Sequence, residues 1–295
     1  MDFGKVSNLE EIDFSLPSLD QFLFKKNDSK NLALFLGATG WSMPSWKGYL
    51  YPKKTPQNAF ATEYSKQFST IEFNTTYYQI PPDHLVKRWY EVTEADFVFC
   101  PKMFQGISQS NSIGMGSAVL PDFIHRMSLL EEKLGMIFMQ MPQSFSVSKF
   151  QALENFCNHW NRGIPLSIEL RHPDYFSKEH KKLAAQLFSH SNISWLITDV
   201  AGRRDVSHEY LTAPFTCIRF VANDDETDLP RINQWIKRLL QWEQNGITVV
   251  YFFIHVPDNK KPYELCHYMA SEWAKQSGHA IKSPQLIKPP QTLFE

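Results

Sequence analysis

The chain has little cysteine, and what it has is scattered. Cys100, Cys157, Cys217 and Cys266 lie far apart in 295 residues, with no CxxC or other metal-ligand spacing. That pattern argues against a zinc site or a disulfide framework and suits a reducing compartment, so the cytoplasm is the expected location. No run approaches the roughly 18 apolar residues of a membrane span, so no membrane is expected as a partner. The start, MDFGKVSNLEEIDF, carries acids where a secretory signal needs a basic segment and then an apolar one. Charge of one sign is also lacking: 30 Lys and Arg meet 31 Asp and Glu, for a net charge of -1. No global basic field therefore draws the protein to nucleic acid, although a local basic pocket stays open. Neither GxGxxG nor GxxxxGK[ST] occurs, there is no internal repeat, and no cofactor is expected.

What is present is apolar bulk. Hydrophobic residues make up 43%, with 23 Phe and 8 Trp, enough for a large core. Short β-branched or aromatic runs bounded by turn residues predict strands starting near Leu32, Thr70, Asp96, Met136, Pro165, Ile193, Phe215 and Ile247. Between them, three- and four-residue apolar spacing predicts helices over 57–68, 83–92, 121–134, 148–160, 177–189, 229–243 and 263–276, with a short one near Arg204. Asp83, Ser148 and Ser177 are the expected N-caps. Eight β-then-α alternations predict one α/β domain, a (β/α)8 TIM-like barrel over 32–280. An irregular N-terminal extension (1–31) precedes it and a tail (281–295) follows it. An open doubly wound sheet is the competing arrangement.

Side chains alternate faces along a strand, so polar residues of one parity share one face. Glu72, Asn74 and Thr76 oppose Ile71 and Phe73; Ser167, Glu169 and Arg171 oppose Ile168 and Leu170. The same reading turns Lys102, Gln140, Asp199, Arg219 and His255 inward, late in their strands. Lys102 is expected beside Glu72, and Asp199 beside Glu169 and Arg219. Burying unpaired polar groups costs about 1–3 kcal/mol each, so such a set points to a site at the C-terminal mouth. Lys102, Arg171 and Arg219 suit a small polar or anionic ligand, because guanidinium holds carboxylate or phosphate with two bonds. Glu72, Glu169 and His255 are candidate proton-transfer groups. After the first strand, WSMPSWKGYLYP brings Trp41, Trp46, Tyr49 and Tyr51, and Tyr77 and Tyr78 follow the second. These aromatics form either a ligand-stacking rim or a lid packed on itself.

The motifs GATGWSMPSWKGYLYP (37–52), the Glu-x-Asn-x-Thr-Tyr-Tyr run EFNTTYY (72–78), LGMIFMQMPQSF (134–145), IELRHPDYF (168–176) and Thr198-Asp199 resemble the YecE-like family, domain of unknown function 72. The resemblance implies a TIM-like barrel without an assigned reaction. This chain departs from the family pattern at Val221, where a histidine often stands, and at His255 and Asn259, where paired asparagines often stand.

The residues admit three functions. The first is acid–base catalysis on a small anionic substrate. A glycosidase variant of it would use Glu72 and Glu169, although strands two and five are expected to lie far apart. The second is metal-dependent hydrolysis or isomerisation on Glu72, Glu169, Asp199 and His255. The third is non-catalytic binding of nucleic acid or a phosphorylated ligand. Against all three stands a self-satisfied ion-pair network, with Glu169–Arg171 as its simplest member.

Overall fold

A computed structural model describes residues 3–6, 8–18, 22–25, 31–160, 163–257 and 261–287. Asn259 and residues 288–295 of the expected tail lie outside the described residues. The strands are β1 (Ala33–Ala38), β2 (Thr70–Phe73), β3 (Val98–Pro101), β4 (Ile137–Gln140), β5 (Leu166–Glu169), β6 (Ser194–Trp195), β7 (Ile197–Asp199), β8 (Phe215–Val221) and β9 (Val249–His255). The helices are α1 (Phe60–Gln67), α2 (Thr75–Tyr78), α3 (Asp83–Val92), α4 (Gln105–Ser108), α5 (Val119–Ser128), α6 (Phe150–His159), α7 (Lys178–His190), α8 (Asp228–Gln244) and α9 (Pro262–Ser277).

Every strand pairing is parallel. The strands form a six-stranded sheet in the order β3-β2-β1-β9-β8-β7 and a three-stranded sheet in the order β4-β5-β6. Parallel neighbours need crossovers, which the intervening helices supply. The sequence led us to expect one continuous ring; the ladders fall into two sheets. Backbone bonds nevertheless cross both seams. Gly135 N donates to Phe99 O at 3.0 Å and Met103 N to Phe138 O at 2.8 Å, linking β3 with β4. At the other seam Leu196 N donates to Ile168 O at 2.9 Å. The sixth expected strand is split into β6 and β7 at Leu196. Just before the split, the Trp195 amide bonds the Thr212 hydroxyl at 2.9 Å instead of a strand carbonyl.

The parity reading matches how the strands pack. Ile71 and Phe73, Ile137 and Met139, Leu166 and Ile168, Ile218 and Phe220, and Phe252 and Ile254 belong to the large core against the helices. The opposite parity holds a separate cluster of Cys100, Met136, Phe138, Leu196, Cys217, Tyr251 and Phe253. On that same inner parity, Glu72, Glu169, Arg219 and His255 follow toward the C-terminal ends of their strands, with Glu72 in register with Cys100 and Arg219 with Phe253.

Ser177 caps α7, its hydroxyl accepting from His180 N at 3.3 Å. Two other capping expectations fail. Asp83 is the first residue of α3, behind Pro82, and Ser148 lies inside a 3-10 turn that precedes α6. No helix among the described residues is long and apolar enough to cross a membrane.

The N-terminal extension is fastened to the body. Leu23 N donates to Leu211 O at 2.8 Å, and Gly202 N donates to Gly4 O at 2.8 Å. Gly4 has a φ of +69°, and a Cβ there would meet Val200 Cγ1 at 2.8 Å, so a larger residue would lift the segment.

Candidate functional site

One guanidinium organises the polar face. Arg219, on β8, donates Nε to Glu72 Oε2 at 2.9 Å, Nη2 to Glu72 Oε1 at 3.0 Å and Nη1 to Glu169 Oε2 at 2.9 Å. Glu72 and Glu169 sit on different sheets, so Arg219 bridges them. The two carboxylates, expected to be far apart, are thereby joined. Glu72 also accepts from Asn74 Nδ2 at 3.0 Å and faces His255 Nε2 at 2.8 Å. Glu169 accepts from Arg171 Nε at 2.9 Å and from the Thr198 hydroxyl at 3.0 Å.

These contacts fix the protonation states. Burial raises the Glu72 carboxyl, but Arg219 and then His255 outweigh it and hold it well below the usual carboxylate range. For Glu169 burial again opposes, and Arg171 and Arg219 bring the carboxyl down to about 2. Neither can serve as a protonated acid near neutral pH, which removes the glycosidase pair. His255 is lowered by burial, with Glu72 opposing and Arg219 adding to the drop, so it rests as the neutral base.

Lys102 behaves differently from the arginines. The strand register sets Glu72 opposite Cys100, which puts Lys102 two residues further on, just past the end of β3. Its Nζ donates to Gln140 Oε1 at 3.1 Å, rather than to Glu72. The ammonium lies 4.4 Å from the centre of the Tyr77 ring and 5.9 Å from that of Phe138. Burial, with help from Arg219, brings its pKa down to about 8 against the opposing pull of Glu72 and Glu169. Three cations (Lys102, Arg171, Arg219) thus face two carboxylates beside neutral His255, and Lys5, Asp224 and Asp225 line the cavity above them.

A cavity of about 870 Å³ opens over this cluster, and Lys102, Asn74, Gln140, Arg171, Tyr77 and His255 are among its walls. Phe3 and Gly4 of the N-terminal extension form another wall. The Phe3 ring lies 4.4 Å from the Arg171 guanidinium and is itself buried. Nothing in the sequence marks that contact.

Three expected residues do not join. Asp199 faces α8: its carboxylate bonds Arg231 at 3.1 Å, Trp235 Nε1 at 2.8 Å and also Arg204. Its parity is that of Ile193, Trp195 and Ile197, all in the helix-side core, so the alternation itself places Asp199 outside and Thr198 inside. Trp46 is fully buried against Tyr51, Tyr64, Phe68 and Tyr263. Trp41 packs on Phe73 at 4.9 Å and on Tyr64, Trp89 and Phe99. The two tryptophans of the loop after β1 are therefore anchored in the core formed with α1, α3, α9, β2 and β3 and form no rim on the cavity. Without Asp199, the four expected metal ligands do not converge, and no group of three His, Cys, Asp or Glu among the described residues is arranged to hold a metal.

Fold and site together define a parallel α/β protein with a buried carboxylate–arginine–histidine cluster under a cavity at its strand ends. The chain belongs to the DUF72 family of proteins of unknown function, whose model matches residues 35–290. It is 29% identical over 262 residues to the UPF0759 protein YecE of two Escherichia coli strains, covering 82% of this chain and 93% of theirs. Two crystal structures of a DUF72 family protein from Enterococcus faecalis share the fold. They have TM-scores of 0.65 and 0.64 at 22% and 20% identity, cover 88% and 85% of this chain, and are themselves covered over 99% and 100%.

Proposed function

We propose that the protein is an enzyme that moves protons on a small polar anion, held in the cavity at the C-terminal mouth of a single closed (β/α)8 barrel. Support for closure comes from the backbone bonds at both seams and from Arg219, which reaches a carboxylate on each sheet. The C-terminal mouth is where barrels of this architecture carry their chemistry.

The observation that carries the catalytic reading is the His255–Glu72 contact at 2.8 Å. A carboxylate on Nε2 selects the tautomer protonated there, because a carboxylate can only accept. Nδ1 then keeps its lone pair, and no described residue donates to it. A proton taken by Nδ1 creates an imidazolium that Glu72 stabilises, while Arg219 holds Glu72 in place. Glu72 and Glu169 are positioning groups in this account. Lys102 and Arg171 supply the positive potential that selects an anion.

Thermal-shift screening of small carboxylates and phosphorylated metabolites tests the assignment, followed by product analysis of any hit. A ligand is expected to stabilise the wild type and His255→Gln but not Lys102→Met, with turnover in the wild type alone. Unaltered turnover by His255→Gln would overturn it.

A further inference from the structure

We infer that Lys102 is a nucleophile that condenses with the carbonyl carbon of an α-oxo carboxylate, forming an imine in the cavity. This deepens, and rests on, the reading of the mouth as an acid–base site for an anion. Three observations carry it.

The first is the setting of the amine. Lys102 is 8% exposed, yet it lines the cavity, and its Nζ has Gln140 as its hydrogen-bonded partner and two aromatic rings beside it. No carboxylate among the described residues forms an ion pair with it. Lys133, at 5% exposure, is the contrasting case. Its Nζ is saturated by Tyr90 O at 2.6 Å, Thr93 O at 2.8 Å and Thr93 Oγ1 at 3.3 Å. Burial lowers both lysines, but Lys133 is closed in by its three acceptors away from the cavity, whereas Lys102 faces the cavity, where burial and Arg219 bring its pKa down to about 8.

The second is backbone fixation. The Thr76 hydroxyl donates to Lys102 O at 2.7 Å, holding the strand end from which the side chain departs. A nucleophile needs such placement more than a diffuse charge does.

The third concerns the anion. Barrels that take phosphate often use the loops after their last two strands and a helix N-terminus. Here that place is taken by the chain itself. Asp228, at the start of α8, accepts from Asn223 N at 2.9 Å and from Asp224 N at 2.9 Å. Lys102 and Arg171, both on the cavity wall, supply positive charge that attracts a small carboxylate.

The step balances without an oxidant or reductant. The Lys102 ammonium yields a proton to His255, and the amine nitrogen bonds the carbonyl carbon. The carbonyl oxygen takes up protons from nitrogen and from His255 and leaves as water. The product is a protonated imine, which keeps the positive charge at the site and acidifies the neighbouring carbon.

The test is incubation of the full chain with pyruvate and sodium cyanoborohydride near pH 8, then peptide mass spectrometry. The reduced adduct is expected on Lys102 at about ten times the level on other lysines, not on Lys133, and absent from Lys102→Arg. His255→Gln is expected to be labelled more slowly at the same site. Label spread over surface lysines without enrichment at Lys102 overturns the inference, even if His255→Gln has lost turnover. Enrichment at Lys102 with full turnover by His255→Gln instead upholds the imine and defeats the acid–base assignment.

Discussion

Arg219 and Glu72 meet through two nitrogen–oxygen contacts, 2.9 Å and 3.0 Å long, with both side chains 1% exposed or less. Removing one partner of such a pair leaves a buried charge uncompensated, which costs about 3–5 kcal/mol. Arg219→Met strands two carboxylates, so its urea midpoint is expected to fall by that equivalent. Adding Glu72→Gln should recover part of the loss. An unchanged midpoint in Arg219→Met would contradict the arrangement.

Glu72 acts on His255 in the opposite sense to burial. With the carboxylate gone, Glu72→Gln is expected to lower the His255 pKa further, because burial and Arg219 then act unopposed. Proton NMR titration of the ring reports the change. An unchanged titration would show that the imidazole does not sense Glu72, and an upward movement would contradict the sign of the interaction.

Acid stability depends on a second histidine. Burial beside Trp195, whose ring centre is 4.1 Å away, holds His208 down to about 3, with Nε2 against Leu196 O at 3.2 Å. The folded pKa lies below the unfolded one, so the unfolded chain binds more protons in that window. Stability from the neutral ring is present above about pH 6.5 and is lost as pH falls toward 3. Between pH 7 and 5 the loss from His208 alone is roughly 2 kcal/mol, from about 1.5 pH units at 1.36 kcal/mol each. Denaturation curves at the two values check it, and His208→Asn should flatten the dependence.

The N-terminal segment closes on Gly202 without room to spare. A Cβ on Gly202 would meet Val6 Cγ1 at 2.7 Å and Gly4 O at 2.8 Å. Gly202→Ala is therefore expected to lift the segment, uncover Arg171 and speed hydrogen exchange at the residue 202 amide by about tenfold. Global stability should move by less than about 1 kcal/mol, since the contact is local. Unchanged exchange would mean that the segment does not rest there.

The alternation of polar and apolar residues was enough to read the inner lining. Glu72, Lys102, Gln140, Glu169, Arg219 and His255 were all legible because a strand has only two faces. Asp199 was misread by favouring charge over parity: Ile193, Trp195 and Ile197 already marked its face as the helix side. The partners of Arg219 were beyond reach, because which carboxylates one guanidinium spans depends on strand register and rotamer. Trp46 and Trp41 looked like a rim because aromatics in a loop read alike whether they cover a ligand or anchor in the core. Phe3 on Arg171 is a contact across 168 positions, and no local pattern encodes it.

The central claim is that the mouth holds a poised amine awaiting an anion, and Lys102 reports on it directly. In protein carrying carbon-13 methyl groups on its lysines, one resonance, missing from Lys102→Arg, is expected to titrate near pH 8 and to shift upward when acetate is added. A Lys102 resonance that titrates with the exposed lysines, unmoved by acetate, would contradict the account.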